Sequence, residues 1–524
     1  MNGVYNTRVF RIKEPLQNYV SQRNLQTLCE KRERATKPYQ VPIRRGALSA
    51  LQPKFANCSR KIVLQRFLKQ FFRIAIEKFL EALVRIKLAR AKPTIIGITG
   101  SYGKTTTKEA VYEVLKTRWL VYRNPKSLNT EIGLLLAVLE QPSGFQNPLR
   151  WTAILMRAVF NAFTGKRYDF MVLEYGADKP GDIEHLIKIV KPHIAVITGI
   201  ARVHQAAGQF KSIDEVFYEK KKLVTCLKKS GAAILNRRDA FLKRLEGALD
   251  ARTLWFGNKK VAPVGRSNNL ASLRLGLSDI FAEDVKNTGN GFSATIHCYE
   301  DKIHASFPIA GSFHIDAFLP ALLCGKLHGV TLAEGVRALQ SFRLPPGRMS
   351  IIAGAHGATL LDSSYNASPE TMKQALALLK DFPGKGAPSG TVLSSPAAAR
   401  PKRKIAVLGN MNELGDYTEA AHREIGRMIG PWLDQLVTVG DFARIVAETA
   451  LKRGFPESRI KILSSASEAA NFLLSEKLSK GDIILFKGSQ NRVRLERAVK
   501  MLMARPEDAK KLLCRQEEEW KGIE

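Results

Sequence analysis

The chain has 524 residues, 45% of them apolar, enough for about three domains of the usual ~150 residues each. It carries 82 Lys/Arg against 48 Asp/Glu, a formal charge of +34, which favours polyanionic substrates, anionic membrane or nucleic acid as partners. Six scattered cysteines (Cys29, Cys58, Cys226, Cys298, Cys324, Cys514) form no C-x-x-C pair, which argues against a disulfide framework or structural zinc and suits a reducing cytoplasm. No apolar run approaches the ~20 residues of a spanning helix, and the basic start lacks the apolar centre of a signal peptide.

Residues 1–93 hold 21 Lys/Arg and 5 Asp/Glu, nearly half of the net charge in under a fifth of the chain. Within them, Leu64 to Arg90 places apolar residues at 64, 67, 68, 71, 72, 75, 79, 83 and 86, close to helical spacing. Arg66, Lys69, Arg73, Lys78, Arg85, Lys87 and Arg90 add the charge. The pattern predicts a basic amphipathic helix, which either packs its stripe on the next domain or lies on an anionic membrane surface.

From Thr94 the chain reads as α/β. "TIIGIT" (94–99), "FMVLEYG" (170–176), "IAVITGI" (194–200) and "AAILN" (232–236) predict buried parallel strands between helical stretches. Short alternating runs over 282–311 predict hairpins, followed by helices near 313–328 and 331–342. "RLPPGR" (343–348) reads as a hinge. A second α/β sheet follows from "ATLLD" (358–362), "KIAVLG" (404–409), "QLVTVG" (435–440), "IKIL" (460–463) and "DIILFKG" (482–488). Residues 384–402, rich in Pro, Gly, Ala and Ser, read as a surface insert. The expected domains are a basic region 1–93, a P-loop ATPase domain 94–344, a Rossmann-like domain 345–505 and a charged tail 506–524.

The stretch "IIGITGSYGKTTTKEA" (95–110) has the order strand, glycine loop, helix. Its glycines let backbone N–H groups close on phosphate oxygens, and the helix N-terminus adds its dipole. Gly100, Ser101, Gly103, Lys104, Thr105 and Thr106 are the candidate nucleotide contacts. Lys104 can reach the β/γ-phosphates, and the Thr105 hydroxyl can hold Mg²⁺. The common P-loop has a glycine five residues before Gly103, but Ile98 stands there, so the motif is a shortened T-G-x-x-G-K-T-T. Glu174 ends one predicted strand and His204 follows another, and the C-terminal ends of parallel strands are where open α/β sheets place ligands. A hydroxyl, a carboxylate and an imidazole beside a triphosphate could hold one or two Mg²⁺ ions.

Nine blocks then occur in one order: "GITGSYGKTTTKE", "SLNTEIGLLLAVL", "LEYGADKPGDI", "ITGIARVH", "YEKKKLV", "PPGRM", "DSSYNASPETM", "LGNMNELG" and "FKGSQN". Over about residues 94–505 the chain resembles the Mur ligase family, and "DSSYNASP" and "GNMNELG" resemble its D-alanyl-D-alanine-adding members. The resemblance implies a cytoplasmic, monomeric ligase of peptidoglycan precursor synthesis acting on UDP-MurNAc-tripeptide and D-Ala-D-Ala, with no nucleic-acid partner. It implies that ATP phosphorylates a carboxylate and that an amine attacks the acyl phosphate. Lys104 and the loop backbone then stabilise the moving phosphoryl group, with Thr105 and Glu174 on one Mg²⁺ and His204 on a second. "YEKKKLV" matches the family's carbamylated lysine, an anionic Mg²⁺ ligand; alignment selects Lys220, with Lys221 and Lys222 adjacent. Arg348 is implied to reach the phosphates from the last domain. Asn129, Asp362, Tyr365 and Asn366 are implied near the nucleotide, with Tyr365, Lys487 and Ser489 toward the amine substrate.

Two departures stand out. Relatives show G-R-H-N-x-x-N before two helices, near the adenine, where this chain has "GSFHIDAFLPALL" (311–323); a slide of one residue restores His314 but neither asparagine. Residues 1–93 lack the "DSR…GDLF" texture of the family's UDP-sugar domain. Other readings are a folylpolyglutamate-like or cyanophycin-like ligase, or a degenerate ATP-binding protein whose basic N-terminus holds membrane or nucleic acid.

Overall fold

A computed structural model describes residues 73–124, 130–143, 148–258, 279–288, 291–382, 403–490, 493–517 and 520. Glu77–Glu524 is one compact unit, separate from Met1–Ile76. Asn129, the insert at 384–402 and the first turns of the predicted N-terminal helix lie outside the described residues.

Two sheets organise the unit. The first has nine strands: β1 (Thr94–Thr99), β2 (Val121–Arg123), β3 (Phe170–Glu174), β4 (Ile194–Ile197), β5 (Ala232–Asn236), β6 (Arg252–Asn258), β7 (Ile280–Thr288), β8 (Gly291–Cys298) and β9 (Asp301–Phe307). Their order is β2-β3-β1-β4-β5-β6-β7-β8-β9. All pairs from β2 to β7 are parallel, and β7-β8-β9 form the expected antiparallel hairpins. β1 lies inside the sheet between β3 and β4, with Ile95, Ile96 and Ile98 buried; this is the near-continuous apolar strand that a sheet covered on both faces requires. β2 and β6 lie outside the strands expected from the sequence.

The second sheet contains β10 (Ser350–Ala353), β11 (Thr359–Ser363), β12 (Lys404–Gly409), β13 (Gln435–Val439), β14 (Ile460–Leu463) and β15 (Ile483–Lys487), in the order β10-β11-β15-β12-β13-β14. Only β10 runs antiparallel. The α/β reading with two sheets therefore holds.

The end of the second lobe corrects the predicted tail. Arg515 is buried, with its guanidinium on Glu496 (3.2 Å) and on the Tyr365 carbonyl, and Arg494 reaches the same glutamate at 3.2 Å. Residues 506–515 are thus part of the lobe: two buried arginines share the Glu496 carboxylate and donate further to the Trp520 and Tyr365 carbonyls, the kind of partners buried charges require.

The N-terminal helix also departs from its predicted stripe. α1 covers residues 73–91. From Glu77 on, its buried positions are Leu80, Glu81, Leu83, Val84 and Lys87, while Phe79 and Ile86 are exposed. The face that packs is therefore rotated from the 79/83/86 line. Lys87, expected at the surface, is fully buried with Nζ 2.5 Å from Glu140. Glu77 meets His185 at 3.1 Å, and Arg90 donates to the carbonyls of Ala162 and Gly165. This half of the helix is a structural part of the first lobe.

Candidate active site

The glycine loop connects β1 to α2 (Lys104–Leu115). Two of its positions require glycine. Gly103, the N-cap, has φ +77°, and a Cβ on Gly100 (φ +147°) would fall 2.0 Å from Thr198 Oγ1. No side chain caps α2, so its N-terminus is left to the loop, the arrangement that favours an anion there. Ser101 N donates to the Gly199 carbonyl at 2.8 Å, and Ala201 N donates to Ser101 Oγ at 2.9 Å, which ties the loop to the end of β4. Lys104 folds back, Nζ donating to the Gly100 carbonyl at 2.8 Å.

Thr105 is where the lobes meet. Its Oγ1 donates to Glu174 Oε2 at 3.1 Å and accepts from Arg348 Nη2 at 3.2 Å. Arg348 lies in the segment that leads into β10, and its guanidinium lies 4.1 Å from the Tyr365 ring. A side chain at Gly347 (φ +72°) would crowd Tyr365 at 3.0 Å, so the arginine's approach depends on that glycine. His204 makes a second crossing. Its Nδ1 lies 2.7 Å from Glu413 Oε2 and 3.5 Å from Asp178 Oδ1, and Gln205 N donates to the Glu413 carbonyl at 2.7 Å. His204 (φ +53°), Met349 (φ +74°) and Glu413 (φ +62°) all adopt the left-handed backbone that costs a non-glycine residue energy.

These groups line a cavity of about 410 Å³. Its walls include Ser101, Gly103, Lys104, Thr105, Thr106, Glu174 and His204 from the first lobe, and Arg348, Tyr365, Asn366, Lys487 and Ser489 from the second. His314 lines it too, buried just before α7 (Ile315–Leu327), with Nε2 unpartnered among the described residues. Burial, then Arg348, pushes its imidazole down to about 3, so it is neutral.

Two expected residues stand behind the wall. Asp362 is fully buried: Ser364 N donates to its Oδ1 at 3.0 Å, and burial raises its carboxyl to about 6. It supports the loop after β11 and is not among the residues that line the cavity. Lys220, on α6 (Ile213–Thr225), is also fully buried, and burial together with the Lys104 charge pushes its ammonium down to about 7. Its neighbours are occupied elsewhere. Lys222 pairs with Glu219 at 2.9 Å and Lys221 lies 4.6 Å from the Tyr218 ring, so burial singles out one of the three lysines.

Lys487 also ends in the interior. Nζ donates to the Asn366 carbonyl at 2.8 Å and to Ser363 Oγ at 3.2 Å, and burial followed by Arg348 lowers it to about 7. Ser489 Oγ donates to the Ala367 carbonyl at 3.2 Å and accepts from Asn412 N at 3.0 Å. Sequence reasoning missed Glu413 and Asp178, although both lie inside quoted blocks ("LGNMNELG", "LEYGADKPGDI").

The family description "Mur ligase middle domain" matches residues 98–325, and "Mur ligase, glutamate ligase domain" matches residues 347–490. The UDP-N-acetylmuramoyl-tripeptide–D-alanyl-D-alanine ligase of Bacillus subtilis is 30% identical over 428 residues, covering 81% of this chain and 79% of that one. The crystal structure of MurF from Acinetobacter baumannii aligns with a TM-score of 0.63 at 24% identity, over 83% of this chain and 81% of that one. MurF ligase from Thermotoga maritima, solved in complex with ADP, aligns with a TM-score of 0.62 at 24% identity, over 83% and 84%. The chain belongs to the Mur ligase family of ATP-dependent ligases, and within it resembles the UDP-N-acetylmuramoyl-tripeptide–D-alanyl-D-alanine ligases.

Proposed function

We propose that the chain joins D-alanyl-D-alanine to UDP-MurNAc-tripeptide, releasing ADP and phosphate, in the cytoplasm. The carrying observation is the meeting of Arg348 with Thr105 at the glycine loop, 243 residues apart in sequence. Such a crossing makes a phosphate site complete only when both lobes contribute. Lys104, Arg348 and the N-terminus of α2 hold the γ-phosphate while the substrate carboxylate attacks phosphorus. The bond to the β-phosphate oxygen breaks, ADP leaves, and the D-Ala-D-Ala amine then displaces phosphate from the acyl carbon. Most of the rate in such a transfer comes from positioning and from charge already in place.

The donors fit one or two Mg²⁺ ions: a hydroxyl (Thr105) hydrogen-bonded to a carboxylate (Glu174), plus an imidazole (His204). Bound Mg²⁺ would neutralise the approaching anions. Lys220 suits the family's carbamate because its low basicity leaves the amine free to add CO₂ near neutral pH. Neutral His314 is the candidate contact for the nucleotide base, in place of the family's missing asparagines. The test is phosphate release from ATP with the two substrates separately and together. Release that requires both supports the reading; release with UDP-MurNAc-tripeptide and a different amine, or with neither substrate, overturns it.

A further inference from the structure

α4 (Pro148–Phe163) is built inside out. A surface helix ordinarily turns its apolar stripe to the core. Here the inward face is Ile154, Ala158 and Ala162, and the outward face is Leu149 (82% exposed), Met156 (65%), Val159 (38%), Phe160 (67%) and Phe163 (55%). At 100° per residue those five fall within one arc. Ile86 of α1 is also exposed, one turn before Arg90, which binds the carbonyls of Ala162 and Gly165 at the end of α4. Contiguous apolar surface of this kind marks an interaction site.

The surrounding charge selects the occupant. Between Glu140 and Asp169 the sequence has no acidic residue and four cations: Arg150, Arg157, Lys166 and Arg167. A second copy docked by two-fold symmetry would bring those four cations against their equivalents. Residues 1–72 carry 15 Lys/Arg against 3 Asp/Glu, a net charge of the same sign. An anionic partner with an apolar interior meets both requirements. We propose that α4 docks the enzyme on a bilayer surface bearing anionic headgroups, its phenylalanines entering the acyl boundary and its cations at the headgroups. This goes beyond the ligase reading and does not depend on it.

The test is co-sedimentation of the full chain with phosphatidylcholine vesicles with and without phosphatidylglycerol. Wild type should pellet only with the anionic vesicles. Met156→Asp with Phe160→Asp should weaken the partition about tenfold or more, since each buried apolar group contributes to anchoring. Leu451→Asp with Leu474→Asp adds the same charge at exposed apolar sites of the other lobe and should leave binding unchanged. Equal loss in both double variants would mean that net charge alone binds, and would overturn the proposal. So would a wild type that ignores anionic vesicles, or one that sediments as a dimer split by the α4 substitutions. Should that variant not fold, Phe160→Trp decides: its emission must shift to shorter wavelength with anionic vesicles, and an unmoved spectrum sinks the idea. Phosphate release and thermal melting report the fold separately from docking.

Discussion

The two lobes both end parallel strands at one cavity, yet they contribute in different ways. The first supplies a continuous device: a glycine loop, a helix N-terminus, and Lys104 and Thr105 in consecutive positions. The second supplies single side chains from separate loops: Arg348 before β10, Glu413 after β12 and Lys487 at the end of β15. A backbone anion site can be assembled locally, because N–H groups are present at every residue and only the turn needs special residues. A guanidinium or carboxylate delivered across a cleft needs the other lobe to be folded and closed.

Lys104→Ala is the strongest way to break that contrast. It should lower phosphate release about 10²–10³-fold, with the melting temperature unchanged. A loss below tenfold would show that the local device is not the phosphate site.

Lys220→Ala should be nearly as severe, and short carboxylic acids should restore part of the activity by replacing the carbamate oxygens. Lys221→Ala and Lys222→Ala, whose side chains lie on a ring and in a half-exposed ion pair, should stay within about twofold of wild type, as surface pairs contribute little. Full activity in all three would remove the carbamate from the mechanism.

Glu413→Gln sharpens the other side of the comparison. Removing the carboxylate 2.7 Å from His204 Nδ1 should cost about tenfold in kcat, the usual scale for a group that orients a ligand imidazole. The Mg²⁺ concentration needed for half-maximal rate should rise as well. An unchanged Mg²⁺ dependence would reduce Glu413 to a packing contact between the lobes.

The smallest effect is a pH effect on stability. Burial lowers Lys487 to about 7 in the folded chain, from an ordinary value near 10.5. Between those values the unfolded chain binds the extra proton, so wild type gains stability as pH rises from about 7 to 10.5 and carries the full penalty below that window. Lys487→Met removes this titration. Its melting temperature relative to wild type should therefore be most favourable near pH 6.5 and fall as pH rises toward 10, on the linkage between burial and proton binding. A difference independent of pH would mean that Lys487 is not held in a desolvated site.

Much of the fold was legible in the sequence. β1, β3, β4, β5 and the strands of the second sheet from β11 on are short apolar runs bounded by turn residues, and that signal survives without knowledge of neighbours. β2 and β6 escaped because a three-residue edge strand and "RTLWFGN" carry no clear period. Among site residues, the loop was readable from its own spacing, whereas Glu174, His204, Lys220 and Arg348 were singled out mainly by their order within a family pattern.

By itself, the sequence determined the phosphate loop, because its requirements are local: φ values that only glycine accepts easily, a helix start, and a lysine and a threonine at fixed offsets. Tertiary structure decided which lysine of "YEKKKLV" is buried, that Glu413 meets His204, and that Asp362 stands behind the cavity wall. It also decided that α1 packs through Leu80, Leu83, Val84 and Lys87 while α4 presents its apolar face to solvent. Periodicity specifies that a helix has an apolar face; which way that face points depends on what packs against the other side.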